Sequence, residues 1–311
     1  MAQTAPGPSI RRLLGNDLRG PIEQTVTAYL GRAWQVTQAI DKTDAASHPA
    51  AILSDGAYAV FLKLGQGDLA MDMCTQELAG LRLLTERAGV LTPAGIGMVP
   101  VTGGALLILA AVEIVEREPH HWRQMGQTLA QIHRVKGEQF GLEQHCYWGS
   151  YYQDNRPLAD WPTFFWLRRL EPWLKTAVDA GRLPLSLATQ VETLGHRLPE
   201  LCGPPVAPTL LHGDAHQNNF LSTPQGPVLI DPAVYYGHPE MDLAYMDFFV
   251  EMGFFAPTPD EFYAGYSEIT PVAPGYHQRR DLWRIPAWLA MVQVDGPQHV
   301  EKLRKAVQKY V

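Results

Sequence analysis

Between residues 210 and 220 the chain reads LLHGDAHQNNF, where two histidines, an aspartate and two asparagines crowd behind an apolar pair. Asp214 and Asn219 stand five positions apart, and Asp231 follows twelve after Asn219, directly behind the apolar run PVLI. A carboxylate beside a substrate hydroxyl, with an asparagine and a second aspartate able to take a hard cation, suits phosphoryl transfer. That chemistry asks little covalent help of a protein. It asks for Mg²⁺ to neutralise phosphate charge and a carboxylate to orient or deprotonate the attacking hydroxyl.

Protein kinases use a similar Asp-x4-Asn loop followed by a metal-binding aspartate. Such a site makes a demand on another part of the chain: a strand lysine to hold nucleotide phosphates, steered by a glutamate from the next helix. Lys63 in YAVFLKLG and Glu77 in the segment that follows meet it. Taken singly, Lys63 reads as a solvated strand-edge residue, Glu77 as a surface helix charge and HGD with NN as a polar turn. Their order along the chain is what points to a phosphotransferase. A zinc cluster is the competing reading of the histidines, but His212 and His216 are expected on a strand and in a loop, whereas a His-x3-His zinc pair depends on a helix.

The elements that must position these residues are readable in outline. Residues 9–31 carry Ile22, Val26 and Leu30 at helical spacing, and WQVTQAI (34–40) alternates like a strand. Two apolar runs between 50 and 65 flank Asp55-Gly56, a hairpin signal. Residues 70–89 place Leu78, Leu81, Leu84 and Ala88 on one helical face and stop at Gly89. A second hairpin turns at Gly103-Gly104. Residues 1–110 thus predict a small nucleotide-binding lobe, and 111–311 a catalytic and acceptor-binding lobe within one two-lobed domain. Helices are expected over 121–135, 161–181, 185–200 and the C-terminal HVEKLRKAVQKYV. Two β-like segments, TLLHGD and PVLID, interrupt them, separated by a turn at Pro224–Gly226.

A chain of 311 residues with 46 % apolar and 18 % charged side chains has ample material for a core. Its formal charge of −7 argues against broad nucleic-acid or anionic-membrane binding. Cys74, Cys146 and Cys202 are odd in number and widely spaced, as expected of reduced thiols. The N-terminal MAQTAPGPSIRRLL lacks a signal-peptide core, and the run ALLILAAV falls far short of the ~20 residues that span a bilayer. A cytoplasmic monomer is the expectation.

LLHGDAHQNNF, PVLIDPAVYYGHPEMDLAYM, FGLE and DNRPLADWPTFFWLRRL together resemble the fructosamine kinase (ketosamine-3-kinase) family, within the aminoglycoside-phosphotransferase and protein-kinase-like superfamily. The likeness runs from about residue 9 to the end. It implies an α+β, bilobal protein-kinase-like fold, with a small antiparallel-sheet N-lobe holding one key helix and a larger, mainly helical C-lobe. It implies ATP and Mg²⁺, with Asp214 as catalytic base, Asn219 and Asp231 on the metal, and Lys63 with Glu77 on the phosphates. Adenine would lie along Ala110 to Val112, bonded through backbone groups. Asp242 would brace the catalytic loop through His212 or backbone N–H groups, with His212 as scaffold.

The chain also departs from that family. His216 stands where HGDLWSGN would place a tryptophan, and Asn218 replaces the glycine. No G-x-G-x-x-G covers the phosphates, which leaves backbone N–H groups or Ser47 and His48 as candidates. Asp231 precedes Pro232-Ala233, and only eleven residues separate it from Asp242, too few for a phosphorylated activation loop; constitutive activity is expected. His216, Tyr235, Tyr236, His238 and Trp161 are the candidate acceptor pocket. The expected reaction is phosphorylation of a sugar hydroxyl on a ketosamine, free or on a glycated protein, in the service of deglycation. Alternatives are an aminoglycoside or other small-molecule kinase, with Glu240, Asp247 and Glu251 as an acidic pocket, and a pseudokinase, against which the intact set of site residues argues.

Overall fold

The computed structural model describes residues 16–43 and 48–311. Helix α1 (Asn16–Leu30) occupies the later part of the expected 9–31 helix, whose first residues lie outside the described ones. Ile22 and Val26, one turn apart, are fully buried against a five-stranded antiparallel sheet. Its strands are β1 (Gln38–Asp41), β2 (Ala50–Ser54), β3 (Ala59–Gln66), β4 (Gly95–Val101) and β5 (Gly104–Ala110), in the order β1-β2-β3-β5-β4. Helix α2 (Ala70–Ala88) covers the opposite face and ends at Gly89, whose left-handed backbone (φ 66°) turns its N–H onto Thr85 O.

Strand β5 is therefore covered on both faces, which is why it is an unbroken apolar run. Leu106 and Ile108 join the α1 side, while Ala105, Leu107 and Leu109 join Leu81 and Cys74 under α2. Each such leucine or isoleucine contributes about 1.5–3 kcal/mol by leaving water. The same alternation in β3 sends Val60, Leu62 and Leu64 to α1 and turns Lys63 toward α2. The expected strand at 34–40 begins only at Gln38, because Trp34 is drawn into the core, where its indole N–H donates to Tyr58 O.

The rest of the chain is mainly helical. Helix α3 (Pro119–His133) precedes a hairpin of β6 (Cys146–Trp148) and β7 (Tyr151–Gln153), absent from the sequence reading. The helix expected over 161–181 is α4 (Trp161–Phe165), a π-helical turn (Trp166–Leu170) and α5 (Glu171–Asp179). Pro172 lacks an N–H and its ring crowds the carbonyl one turn back, so the helix widens before it. Helix α6 (Leu185–Leu201) leads to β8 (Thr209–Leu211), then β9 (Phe220–Thr223), β10 (Gly226–Leu229) and β11 (Tyr235–Gly237). Both predicted β segments exist, but their partners are new: β8 pairs with β11 and β9 with β10, each antiparallel.

Helices α7 (Glu240–Met246), α8 (Phe248–Glu251), α9 (Asp260–Ile269), α10 (Tyr276–Val294) and α11 (Val300–Val307) complete the chain. The α+β layout, a small antiparallel sheet with one inserted helix followed by a larger helical part, is the expected one. Cys74, Cys146 and Cys202 are buried free thiols. Among the described residues no helix is long and apolar enough to cross a membrane.

Candidate active site

A cavity of about 490 Å³ lies between the sheet and the helical part, and the residues singled out by spacing converge on it. Lys63 enters from β3, Glu77 from α2, Ala110 to Val112 from the end of β5, and Asp214, His216, Asn218, Asn219 and Asp231 from the opposite side. Lys63 Nζ donates to Glu77 Oε2 at 2.9 Å and to Asp231 Oδ1 at 2.7 Å, so one ammonium bridges both sides of the cleft. Burial disfavours the charged lysine, yet the carboxylates of Glu77 and Asp231 outweigh it and hold the ammonium above its usual pKa. Glu77 is pushed up to about 7 by burial, against the pull of Lys63. For Asp231, burial is overcome by Lys63 and its carboxyl falls below the usual range. Its side chain keeps 38 % exposure toward the cavity, so solvent screens part of that pairing.

The loop between β8 and β9 is suspended from Asp242. His212 N–H donates to Asp242 Oδ2 at 2.8 Å and Gly213 N–H to Oδ1 at 2.9 Å, while His133 Nε2 lies 3.1 Å from Oδ2. Gly213 has φ 82°, and a Cβ there would sit 1.9 Å from Ala233 O, so only glycine fits the HGD turn. His212 is fully buried; its Nε2 faces Ile230 O at 3.0 Å and its Nδ1 accepts from Asp214 N–H. Those contacts require a neutral ring with the proton on Nε2, and burial lowers its pKa in the same sense.

Asp214 itself accepts from the Trp148 indole N–H at 2.8 Å through Oδ1. Asn219 Nδ2 donates to Asp214 O at 2.9 Å, which fixes the nitrogen end of the amide. Burial raises the Asp214 pKa, opposed by His216, Trp148 and His212. Asp231, at the end of the strand that closes this loop, has φ 51°, the one positive φ at a non-glycine among the described residues. Left-handed backbone is sparsely populated even for aspartate, and it gathers at functional sites.

The acceptor candidates divide. His216 lines the cavity, with Nδ1 accepting from Asn218 N–H and the ring against Phe249 and Phe255 at centroid distances of 5.0 and 5.7 Å. Trp161, Tyr235, Tyr236 and His238 do not reach it: all four are core residues. Trp161 stacks on Phe164 and Phe165, the Arg169 guanidinium lies 4.0 Å over the Tyr235 ring, and His238 stacks on Trp283. Tyr236 packs onto Gly137 beside β8. The imagined acidic pocket also dissolves, since Glu240 binds Arg279 and Trp283, Glu251 binds Arg284, and Asp247 accepts from Tyr263.

Of the phosphate-cover candidates, His48 lines the cavity, its pKa lowered by burial and by Lys63, whereas Ser47 lies outside the described residues. Sequence reasoning missed Tyr147 and Gly149, which line the cavity, and Trp148 behind them. The available signal was YWGSYY, aromatic pairs around a Gly-Ser turn.

Residues 20–311 match the family model described as fructosamine kinase. The chain is 29 % identical to a chloroplastic protein-ribulosamine 3-kinase of Oryza sativa subsp. japonica, over 97 % of this chain and 86 % of the rice protein. Its fold is similar to the crystal structure of a provisionally named fructosamine-3-kinase of Thermobifida fusca, with TM-score 0.79, 26 % identity, and 93 % and 98 % of the two chains covered. It is more distantly similar to a choline kinase of Streptococcus pneumoniae, with TM-score 0.61, 17 % identity, and 95 % and 100 % covered, a likeness of fold. The protein belongs to the fructosamine kinase family, has a protein-kinase-like fold, and is a phosphotransferase with an alcohol group as acceptor.

Proposed function

We propose that the protein transfers the γ-phosphate of ATP to a sugar hydroxyl of a ketosamine, a fructosamine or ribulosamine, free or on a glycated protein. The observation that carries this reading is the Lys63 ammonium held between Glu77 and Asp231, at the cavity that Asp214 and Asn219 line from the opposite side. Adenine would lie along Ala110 to Val112, where Ile52, Leu221 and Ile230 give the cavity an apolar lining. The amides of Ala110 and Ala111 already donate to Ala94 O and Ala59 O, so backbone contacts to the base fall to the carbonyls and to Val112. Lys63 then draws the phosphates in as a point charge, steered by Glu77.

Asn219 and Asp231 supply oxygen donors suited to Mg²⁺, which usually takes one or two side chains and completes its shell with phosphates and water. The Asn219 amide fits that role, because its nitrogen end is tied to Asp214 O and leaves Oδ1 for a cation. Bound there, Mg²⁺ would neutralise the charge building on the phosphates. Asp214 orients the acceptor hydroxyl and takes its proton as the new O–P bond forms and the bond to ADP breaks. A raised pKa makes its carboxylate a better base than an exposed aspartate. The 3-phosphorylated ketosamine then breaks down and frees the amine, which is deglycation.

The test is ADP release with fructosyl-lysine, ribulosyl-lysine and kanamycin as acceptors, with D214A as control. Turnover with either ketosamine and none with kanamycin is expected, and D214A should keep nucleotide binding while turnover drops by orders of magnitude. Turnover with kanamycin alone overturns the acceptor assignment.

A further inference from the structure

Asp214 must present one oxygen to an acceptor hydroxyl, and a short carboxylate on a loop can rotate about its side-chain bonds. The hairpin β6–β7 restrains it. Gly149, with φ 58°, and Ser150 form the two-residue turn that closes this hairpin. Alternation along β6 buries Cys146 and Trp148 on one face and turns Tyr147 to the other. The buried face delivers the Trp148 indole N–H to Asp214 Oδ1, while Trp148, only 6 % exposed, does not line the cavity. An indole N–H only donates and does not titrate in water, so it marks one oxygen permanently. The other oxygen, Oδ2, lies 3.4 Å from Asn219 Nδ2 and 3.8 Å from His216 Nε2, on the side where those residues line the cavity.

The opposite face reaches across the cleft. Tyr147 OH donates to Asp72 Oδ2 at 2.5 Å, and His145 Nε2 lies 2.6 Å from the same oxygen. Asp72 stands in the first turn of α2, the helix that carries Glu77. Two adjacent side chains of one strand thus touch the helix that steers Lys63 and the carboxylate that addresses the acceptor.

We propose that the hairpin 146–153 is the positioning element of the acceptor site: Trp148 engages Asp214 Oδ1 and leaves Oδ2 for the acceptor hydroxyl, and Tyr147 ties this arrangement to α2 through Asp72. The inference rests on the reading of Asp214 as the group that meets the acceptor. Trp148 is a positioning residue, since it acts through Asp214 and touches no substrate. Tyr147, which lines the cavity, couples the phosphate-holding and acceptor-holding halves.

The experiment compares W148F, Y147F and the double variant with the parent enzyme, using the most active ketosamine acceptor and expressing kcat per nucleotide-binding site. W148F is expected to lower kcat about tenfold with KM for ATP within about twofold, the pattern of a group misoriented in the transition state. Y147F is expected to lower kcat about threefold alone and to add less than about twofold in the W148F background, because both act through the same hairpin on the placement of Asp214. In the ¹⁵N-tryptophan-labelled protein, the indole signal lost in W148F should move in D214A while the other tryptophan signals hold. Should W148F not fold, Y147F still decides. A Y147F enzyme with unchanged kcat, or a Trp148 signal indifferent to D214A, overturns the inference. An inactive D214A beside a W148F of unaltered kcat overturns the hairpin's role alone; an active D214A overturns the reading beneath it.

Discussion

Replacing Asp242 by asparagine tests whether the active-site loop hangs from that carboxylate. Asp242 is 1 % exposed and receives three donors: the amides of His212 and Gly213 and His133 Nε2. In D242N a single oxygen remains, and its best place is the Oδ2 position, where two donors meet it. The new NH₂ group then faces the Gly213 N–H, donor against donor. Two bonds drop from charge-assisted, about 1.5–3 kcal/mol each, to neutral, about 0.5–1.5 kcal/mol each. A buried amide left without an acceptor costs about 1–3 kcal/mol more. Relief from burying a charge offsets part of this, so the net loss is set at about 3 kcal/mol.

Urea denaturation followed by tryptophan fluorescence measures that loss. Hydrogen exchange should localise it, with the amides of His212 and Gly213 exchanging faster in D242N than in the parent. Turnover per nucleotide-binding site should fall about 100-fold, since a displacement near 1 Å at Asp214 suffices for that. A D242N protein within about 0.5 kcal/mol of the parent, with both amides equally protected, refutes the suspension of the loop from Asp242.

Two further outcomes follow from the charges. K63M leaves Glu77 and Asp231 facing each other without their shared cation; ATP affinity by calorimetric titration should fall about 100-fold, within the 2–5 kcal/mol range for truncating such a pair. The second concerns pH. His238 is held down to about 3, by burial first and then by Arg279 and His133. Between pH 6.5 and 3 the unfolded chain therefore binds a proton that the folded one refuses, so stability is complete above about 6.5 and drains away as pH falls. The loss from this group is about 1.4 kcal/mol at pH 5.5. Urea unfolding of the parent and H238N at pH 7.5 and 5.5 isolates its share, and equal slopes in the two proteins would contradict it.

What the sequence disclosed depended on how local each signal was. Asp55-Gly56 and Gly103-Gly104 mark their hairpins without reference to anything distant, and Gly89 ends α2 by its own backbone. Lys63, Glu77, Asp214, Asn219 and Asp231 could be named together because each sits at a fixed offset within a short element. The strands β6, β9 and β11 left no comparable trace. They are three or four residues long, too short for a period, and β11 is buried at all three positions, so no alternation marks it. The pairing of β8 with β11 spans more than twenty residues, and only tertiary packing decides it. Trp161, Tyr235, Tyr236 and His238 were misassigned for the same reason: an aromatic ring offers the same stacking face to a sugar or to a core.

That difference separates the two halves of the site. The phosphate half of the proposed site is built from charged groups, each at a fixed place in its own short element and joined by the ion pairs of Lys63 with Glu77 and Asp231. The proposed acceptor half draws on three distant segments: Tyr147 and Gly149 of the hairpin, His216 and Asn218 of the loop, and Phe249 and Phe255 behind His216. Within it His216 is the residue by which the proposal differs from a tryptophan at that position. Its Nδ1 accepts the Asn218 amide, so in the neutral ring the proton resides on Nε2, the nitrogen 3.8 Å from Asp214 Oδ2. An acceptor seated against Asp214 therefore meets an N–H donor beside the attacking hydroxyl, where a tryptophan would offer mainly an apolar face.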